Sequence, residues 1–297
     1  MKNSFADRLF LSLIYALLIL MAFVMLYPFW NSIVISFNAG SDTTLGGITF
    51  WPRQFTLENY SVVFQDKRLM TGFLISVLRT VIGTVLSIVC TAVFAYGMSK
   101  KQLMGRKWYM ILCIVTMYFS GGLIPSFLIN RELGLMDSFW VMIVPNIISV
   151  WNMIIFRTFF LELPEGLEES AKIDGCGHWG TFFKIVVPIS GPVIATLSLF
   201  SAVWHWNDWF TASIYITSEH FLPIQTLLQQ ILSSNIMSEQ MMQTNAAARS
   251  HMSQLQSVTT KSLTMSTMLV ATIPILLVYP FLQKYFTKGV MIGSIKE

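Results

Sequence analysis

The sequence predicts an all-α polytopic membrane protein, built from six transmembrane helices and one structured helix in an inner loop. Three observations lead there. Of the 297 residues, 54% are hydrophobic and only 11% charged, where soluble domains carry roughly 25% charge. Six apolar runs reach the length of about 20 residues that a helix needs to cross a bilayer: residues 9–36, 80–98, 108–129, 139–160, 189–217 and 263–283. With the N-terminus inside, twelve of the 19 Lys and Arg fall in inner segments, among them Lys100, Lys101, Arg106 and Lys107 in one short loop. Positive residues are retained in the cytoplasm, so both termini are expected there, with 1–297 forming a single transmembrane domain.

Taken in order, the first run follows Lys2 and Arg8 but is too long for a signal-peptide core and lacks a small-x-small cleavage site. It reads as a retained anchor. Residues 37–76 then form a long outer segment with turn formers at 38–42 and Gly46-Gly47. Within it, 57–64 reads as a short amphipathic helix with Leu57, Tyr60 and Phe64 on one face. The third span contains Ser120-Gly121-Gly122-Leu123-Ile124-Pro125, where paired Gly and a Pro make a straight helix untenable. The fifth span carries Trp204-His205-Trp206-Asn207-Asp208-Trp209-Phe210, too polar to face lipid all round. The last outer segment, 218–262, is rich in Gln, Ser, Asn and Met and reads as a long functional or mobile loop.

The inner loop 161–188 holds the most specific signal. Pro164 suits a first helical turn, because it lacks the amide hydrogen that would be unpaired there. Glu165, Glu168 and Glu169 oppose the positive end of the helix dipole, and Gly175 can stop the helix in a left-handed conformation. The result is a compact helix over 164–174. Glu169-Ser170-Ala171, three residues, Gly175, nine residues, Ile185-Val186-Val187-Pro188 then form a pattern. It resembles the E-A-A, three, G, nine, I-x-L-P loop of ABC importer permeases, with Ser170 and Val187 as its two departures.

That resemblance implies a type I (MetI-like) ABC permease fold, with Glu169, Ser170, Ala171, Asp174 and Gly175 engaging a nucleotide-binding subunit. Asp174-Gly175 is similar to the DGA form of the carbohydrate-uptake, MalG-like branch, with Cys176 in place of Ala. Asn207 after Trp206 resembles that branch's signature in the fifth helix, and Lys288-Gly289-Val290 with Gly293 its C-terminal tail. Residues 120–125 and Leu133-Gly134-Leu135 look like the LplC and YtcP type, associated with complex oligosaccharides. The implied partners are a second, homologous permease, ABC ATPase subunits, an extracytoplasmic solute-binding protein, membrane lipid and the carbohydrate itself. The implied place is the bacterial cytoplasmic membrane.

Independently of family, ionisable groups inside a span tend to face the bundle interior or a wet path. Trp204, Trp206, Asn207 and Asp208 are therefore candidates for a translocation pathway, with indole faces against sugar rings and polar groups on hydroxyls. The competing reading is packing against the partner permease or support of a helix bend. No G-x-x-x-x-G-K-[ST] loop occurs, so ATP and Mg are expected on a partner ATPase, with no cofactor bound by this chain. No protease, esterase or paired-cysteine motif is present, and His178, His205, His220 and His251 are scattered, so neither catalysis nor a metal site is expected. Cys90, Cys113 and Cys176 are not placed for a disulfide. The net charge of +4 is topogenic and points to no nucleic acid. The alternatives are an ABC permease for amino acids or ions, or an ion-coupled secondary transporter using Asp208 and Arg79.

Overall fold

The computed structural model describes residues 5–244 and 259–293, with side chains described over 9–234, except 165 and 172, and over 259–278. His251 and the middle of the 218–262 segment lie outside the described residues. The described chain is helical: α1 Phe5–Ser36, α2 Glu58–Gln65, α3 Lys67–Ser99, α4 Arg106–Tyr118, α5 Leu123–Glu132, α6 Val150–Glu162, α7 Glu165–Ile173, α8 Gly191–Asn207, α9 Phe210–Tyr215, α10 Ile224–Thr244 and α11 Thr260–Gly293. Short helical turns fill the connections. Three helices are long and apolar enough to span a membrane alone, and the number rises to six if each bent pair forms one span.

The chain divides into two compact units, residues 1–70 with 228–273 and residues 71–227 with 274–297. In the first, α1 exposes apolar side chains from Leu9 to Leu26 on all sides, the surface of a helix solvated by lipid or by other membrane helices rather than water. Its C-terminal end leads into a polar knot. The Asn38 amide donates to the Asp42 carboxylate (2.9 Å) and Thr43 Oγ1 (3.1 Å), and its oxygen accepts from the Gln54 amide (2.9 Å). Arg53 Nε donates to the same Asp42 carboxylate at 3.0 Å. Helix α2 forms near the expected place but with a different inward face. Asn59 and Val63 are buried while Leu57 and Phe64 stay exposed, because the Asn59 amide satisfies the carbonyls of Ser36 (2.8 Å) and Asn38 (2.9 Å).

The second unit has its core where α3, α6, α8 and the segment after α7 meet. Ile88, Ala92, Ala95 and Tyr96 pack with Met153, Phe156, Phe160, Phe182, Val186 and Leu197. Here the tertiary structure redraws several spans. Helix α3 begins at Lys67 rather than near residue 80, so the segment between the first two spans is shorter than expected. The third run is broken between α4 and α5 by a 114° turn, with Gly122 at φ 88°, a backbone conformation that glycine adopts without penalty. The fourth combines two 3₁₀ turns, Phe139–Met142 and Val144–Asn146, with α6 at 47°. The fifth bends by 83° between His178–Ile189 and α8, then breaks again at Asp208 and Trp209. The segment 218–262, expected to be loop, contains the 21-residue α10. Its Gln- and Ser-rich composition hid a helix-compatible sequence that lacks only a strongly apolar stripe.

Candidate functional site

Two places in the second unit carry the residues singled out by sequence. The first is α7. Leu167 donates its amide to the Pro164 carbonyl at 3.2 Å, so Pro164 sits immediately before the helix. At the other end the Asp174 amide reaches the Ser170 carbonyl (3.0 Å) and the Cys176 amide reaches the Ala171 carbonyl (2.8 Å), while Gly175 lies at φ 77°. This is a Schellman stop, in which a left-handed residue lets the following amide return to a carbonyl five positions back.

The exposed side of α7 presents Glu169, Ser170 and Asp174, with Ile173 86% exposed. Ala171, between them in the pattern, is 2% exposed and packs the helix against its own chain. Sequence reasoning passed over Glu168 as a contact residue. Its carboxylate pairs with the Lys100 ammonium just past the end of α3, and that ammonium lies 3.8 Å from the centre of the Tyr96 ring. The signal available in the sequence is the Lys100 cluster, which the charge bias reads as topology alone.

The second place is the break between α8 and α9. Arg79, the largest fully buried side chain among the described residues, donates from Nη1 to the Asp208 carbonyl at 2.6 Å and from Nη2 to the Asp208 carboxylate. The other carboxylate oxygen accepts from the Thr211 amide at 3.1 Å. Asp208 thus does two jobs at once: its carbonyl, near the end of α8, receives the guanidinium, and its side chain caps α9. His205 is 2% exposed and lies against Gly83, where an added Cβ would come within 2.7 Å of the imidazole. Helices α3 and α8 therefore approach as closely as a missing side chain permits.

The four pathway candidates do not share a surface. Trp206 is 6% exposed and meets Phe73 edge-on at 5.8 Å. Asp208 is taken up by Arg79. Trp204, 44% exposed, and Asn207 lie on the open side of α8. A third feature, absent from the sequence reading, ties the connection after α5 to the end of α9. Asp137, at φ 52°, accepts from the Thr217 amide (2.9 Å), the Ser218 amide (2.8 Å) and the Ser218 hydroxyl (2.5 Å). Its own amide donates to the Tyr215 carbonyl at 2.9 Å. These donors, the Ser218 hydroxyl foremost, hold its carboxyl at about 2.

Comparison with known proteins places this geometry in context. The chain is 43% identical, over 299 residues covering all of both chains, to the polygalacturonan/rhamnogalacturonan transport system permease protein YtcP of Bacillus subtilis (strain 168). It is 39% identical to Protein LplC of the same organism, covering 92% of this chain and 90% of that one. A solved chain from a bacterial ABC transporter involved in import of the acidic polysaccharide alginate superposes with a TM-score of 0.85 and 28% identity, over 96% of this chain and 99% of that one. The model of binding-protein-dependent transport system inner membrane components matches residues 1–292, and the chain belongs to that family.

Proposed function

We propose that this chain is one of two permease subunits of an ATP-driven importer that moves carbohydrate, in oligosaccharide form, across the bacterial cytoplasmic membrane. The observation that carries the reading is full-length identity of 43% to a permease of a polygalacturonan/rhamnogalacturonan transport system. The alginate importer likeness supports the same cargo class from an independent direction. The partners are a homologous second permease, two ATPase domains and an extracytoplasmic solute-binding protein. ATP and Mg belong to the ATPase, and this chain performs no covalent chemistry.

In this reading α7 is the cytoplasmic docking helix. Glu169, Ser170 and Asp174 face the ATPase, and Gly175 aims the helix. Both termini then lie in the cytoplasm, as the positive-residue bias requires. ATP-driven closure of the ATPases draws on α7 and rocks the permease pair to its outward-facing state, and hydrolysis resets it. Trp204 and Asn207, on the open side of α8, meet either the sugar path or the second permease. The Arg79–Asp208 pair neutralises itself inside the unit, which disfavours its use as an ion-coupling site.

The test is purification from the native membrane followed by reconstitution. Co-elution of an ATPase and a second permease, with ATP-dependent uptake of labelled oligogalacturonides, is the expected result. Uptake of amino acids but not of oligosaccharides would overturn the cargo. A chain that purifies alone and accumulates solute on an ion gradient without ATP would overturn the importer reading itself.

A further inference from the structure

We propose that Glu168, Lys100 and Tyr96 form the joint through which movement of the docking helix reaches the membrane-spanning part of the second unit. The proposal rests on the reading that α7 docks an ATPase. Helix α7 is nine residues long and is closed by the Gly175 turn, so the chain gives it one connection onward. Side chains on its inward side give it another. Among those described, Ala171 only packs, whereas Glu168 reaches across to the Lys100 ammonium. The Glu168 carboxylate also interacts with the Tyr96 phenol.

The other side of the joint is anchored in the core. Tyr96 is 8% exposed and packs on Phe160 of α6 (6.1 Å, edge-on) and on Phe182 of the π-helical segment Phe182–Val186 (5.0 Å, tilted). Arg157 of α6 donates from Nε to the Met98 carbonyl at 3.1 Å, fixing the same end of α3. Four segments therefore meet where Lys100 holds Glu168. From Lys100 the nearly continuous α3 leads back to Arg79, a distance of about 31 Å at 1.5 Å per residue. There Arg79 grips the break between α8 and α9. A shift of α7 thus has a stiff route from the docking side to the break between α8 and α9.

Both partners are about a quarter exposed, with side-chain values of 27% for Lys100 and 24% for Glu168. An ion pair so open to solvent adds little to stability. Its removal should leave the chain folded, and any effect it has is positional. The experiment uses the complete transporter in proteoliposomes with its binding protein and sugar. It reads complex recovery, the ratio of sugar-stimulated to basal ATP hydrolysis, and sugar moved per ATP. Lys100→Met and Glu168→Gln should each lower the stimulation ratio and the transport per ATP about fivefold or more, the low end of ordinary coupling strengths, with normal complex recovery. The double variant should be no worse than either single one. Lys100→Arg, which keeps both the carboxylate contact and the cation over Tyr96, should retain wild-type coupling.

Unchanged coupling in both single variants, with intact complexes, would reduce the pair to a surface contact and overturn the proposal. Loss of the ATPase from Glu168→Gln would also overturn it, since Glu168 would then be a docking residue. The docking reading fails separately: if Glu169→Lys and Gly175→Val both retain ATPase recovery and coupling, α7 is not the docking helix.

Discussion

Replacing Arg79 with Met would strand the Asp208 carboxylate inside the second unit without its counter-charge. Arg79 is fully buried and the Asp208 side chain is 11% exposed. Removing one member of a buried pair ordinarily costs about 3–5 kcal/mol, because the remaining charge is left uncompensated. Asp208 keeps the Thr211 amide at 3.1 Å and some solvent access, which places the expected cost at the lower end, about 3 kcal/mol. Asp208→Asn leaves the opposite fault, a buried guanidinium facing only neutral acceptors, at a similar cost. The double variant Arg79→Met/Asp208→Asn removes both charges and loses mainly the hydrogen bond to the Asp208 carbonyl, worth about 1–2 kcal/mol. The two effects should therefore be non-additive by several kcal/mol, about 4 if each single change costs 3. Reversible unfolding of the purified chain in mixed detergent micelles measures all four corners of the cycle. Additivity within about 0.5 kcal/mol would refute the argument, showing that the pair holds the α8–α9 break no better than two independent residues.

Gly175→Val places a β-branched residue at φ 77° with open space around its Cβ, so its cost is backbone strain of at least about 1 kcal/mol rather than collision. Uptake and sugar-stimulated ATP hydrolysis should fall together at equal membrane abundance, and unchanged transport would count against the docking role. Gly83→Ala drives a methyl within 2.7 Å of the His205 ring and should destabilise the chain by about 1–3 kcal/mol. His205→Ala in the same chain should return part of that loss in the unfolding assay. Asp137 titrates at about 2, below the ordinary 3.8, so its contribution is present above 3.8 and is lost only as pH falls through 2. Hydrogen-exchange protection of the Thr217 and Ser218 amides should be independent of pH-driven loss of this latch between pH 8 and 5, after correction for intrinsic exchange, and should weaken in Asp137→Ala.

Much of the protein was legible because the membrane imposes coarse, linear rules. An apolar run of sufficient length must be helical where no water can satisfy the backbone, which is why composition alone identified an all-α membrane protein. Helix α7 was legible for a local reason: Pro164 just before it, its acidic first turn and its Gly175 stop are all short-range effects within one segment. Periodicity failed in 218–262, where a polar sequence without an apolar stripe still formed α10. It also failed for α2, where the inward face was chosen by the Asn59 amide meeting two distant carbonyls rather than by Leu57 and Phe64.

The sequence by itself determined the class of protein, the family pattern in residues 169–188 and the presence of Asp208 within a span, whereas Arg79 was read as lying just outside one. Only the tertiary structure decided how those charges are used. Arg79 and Asp208 are 129 residues apart in sequence, and no local rule pairs them. Their contact lets α3 carry a fully buried arginine, since the guanidinium finds its acceptors on Asp208 at the end of α8. The same contact separates the aromatic cluster into a packed Trp206, a paired Asp208 and an open Trp204 and Asn207. Side-chain direction around a broken helix depends on the bend, and the bend depends on partners from other segments. The Lys100–Glu168 ion pair has the same origin, because the rules that placed one residue by topology and the other by the helix dipole are each blind to the distance between them.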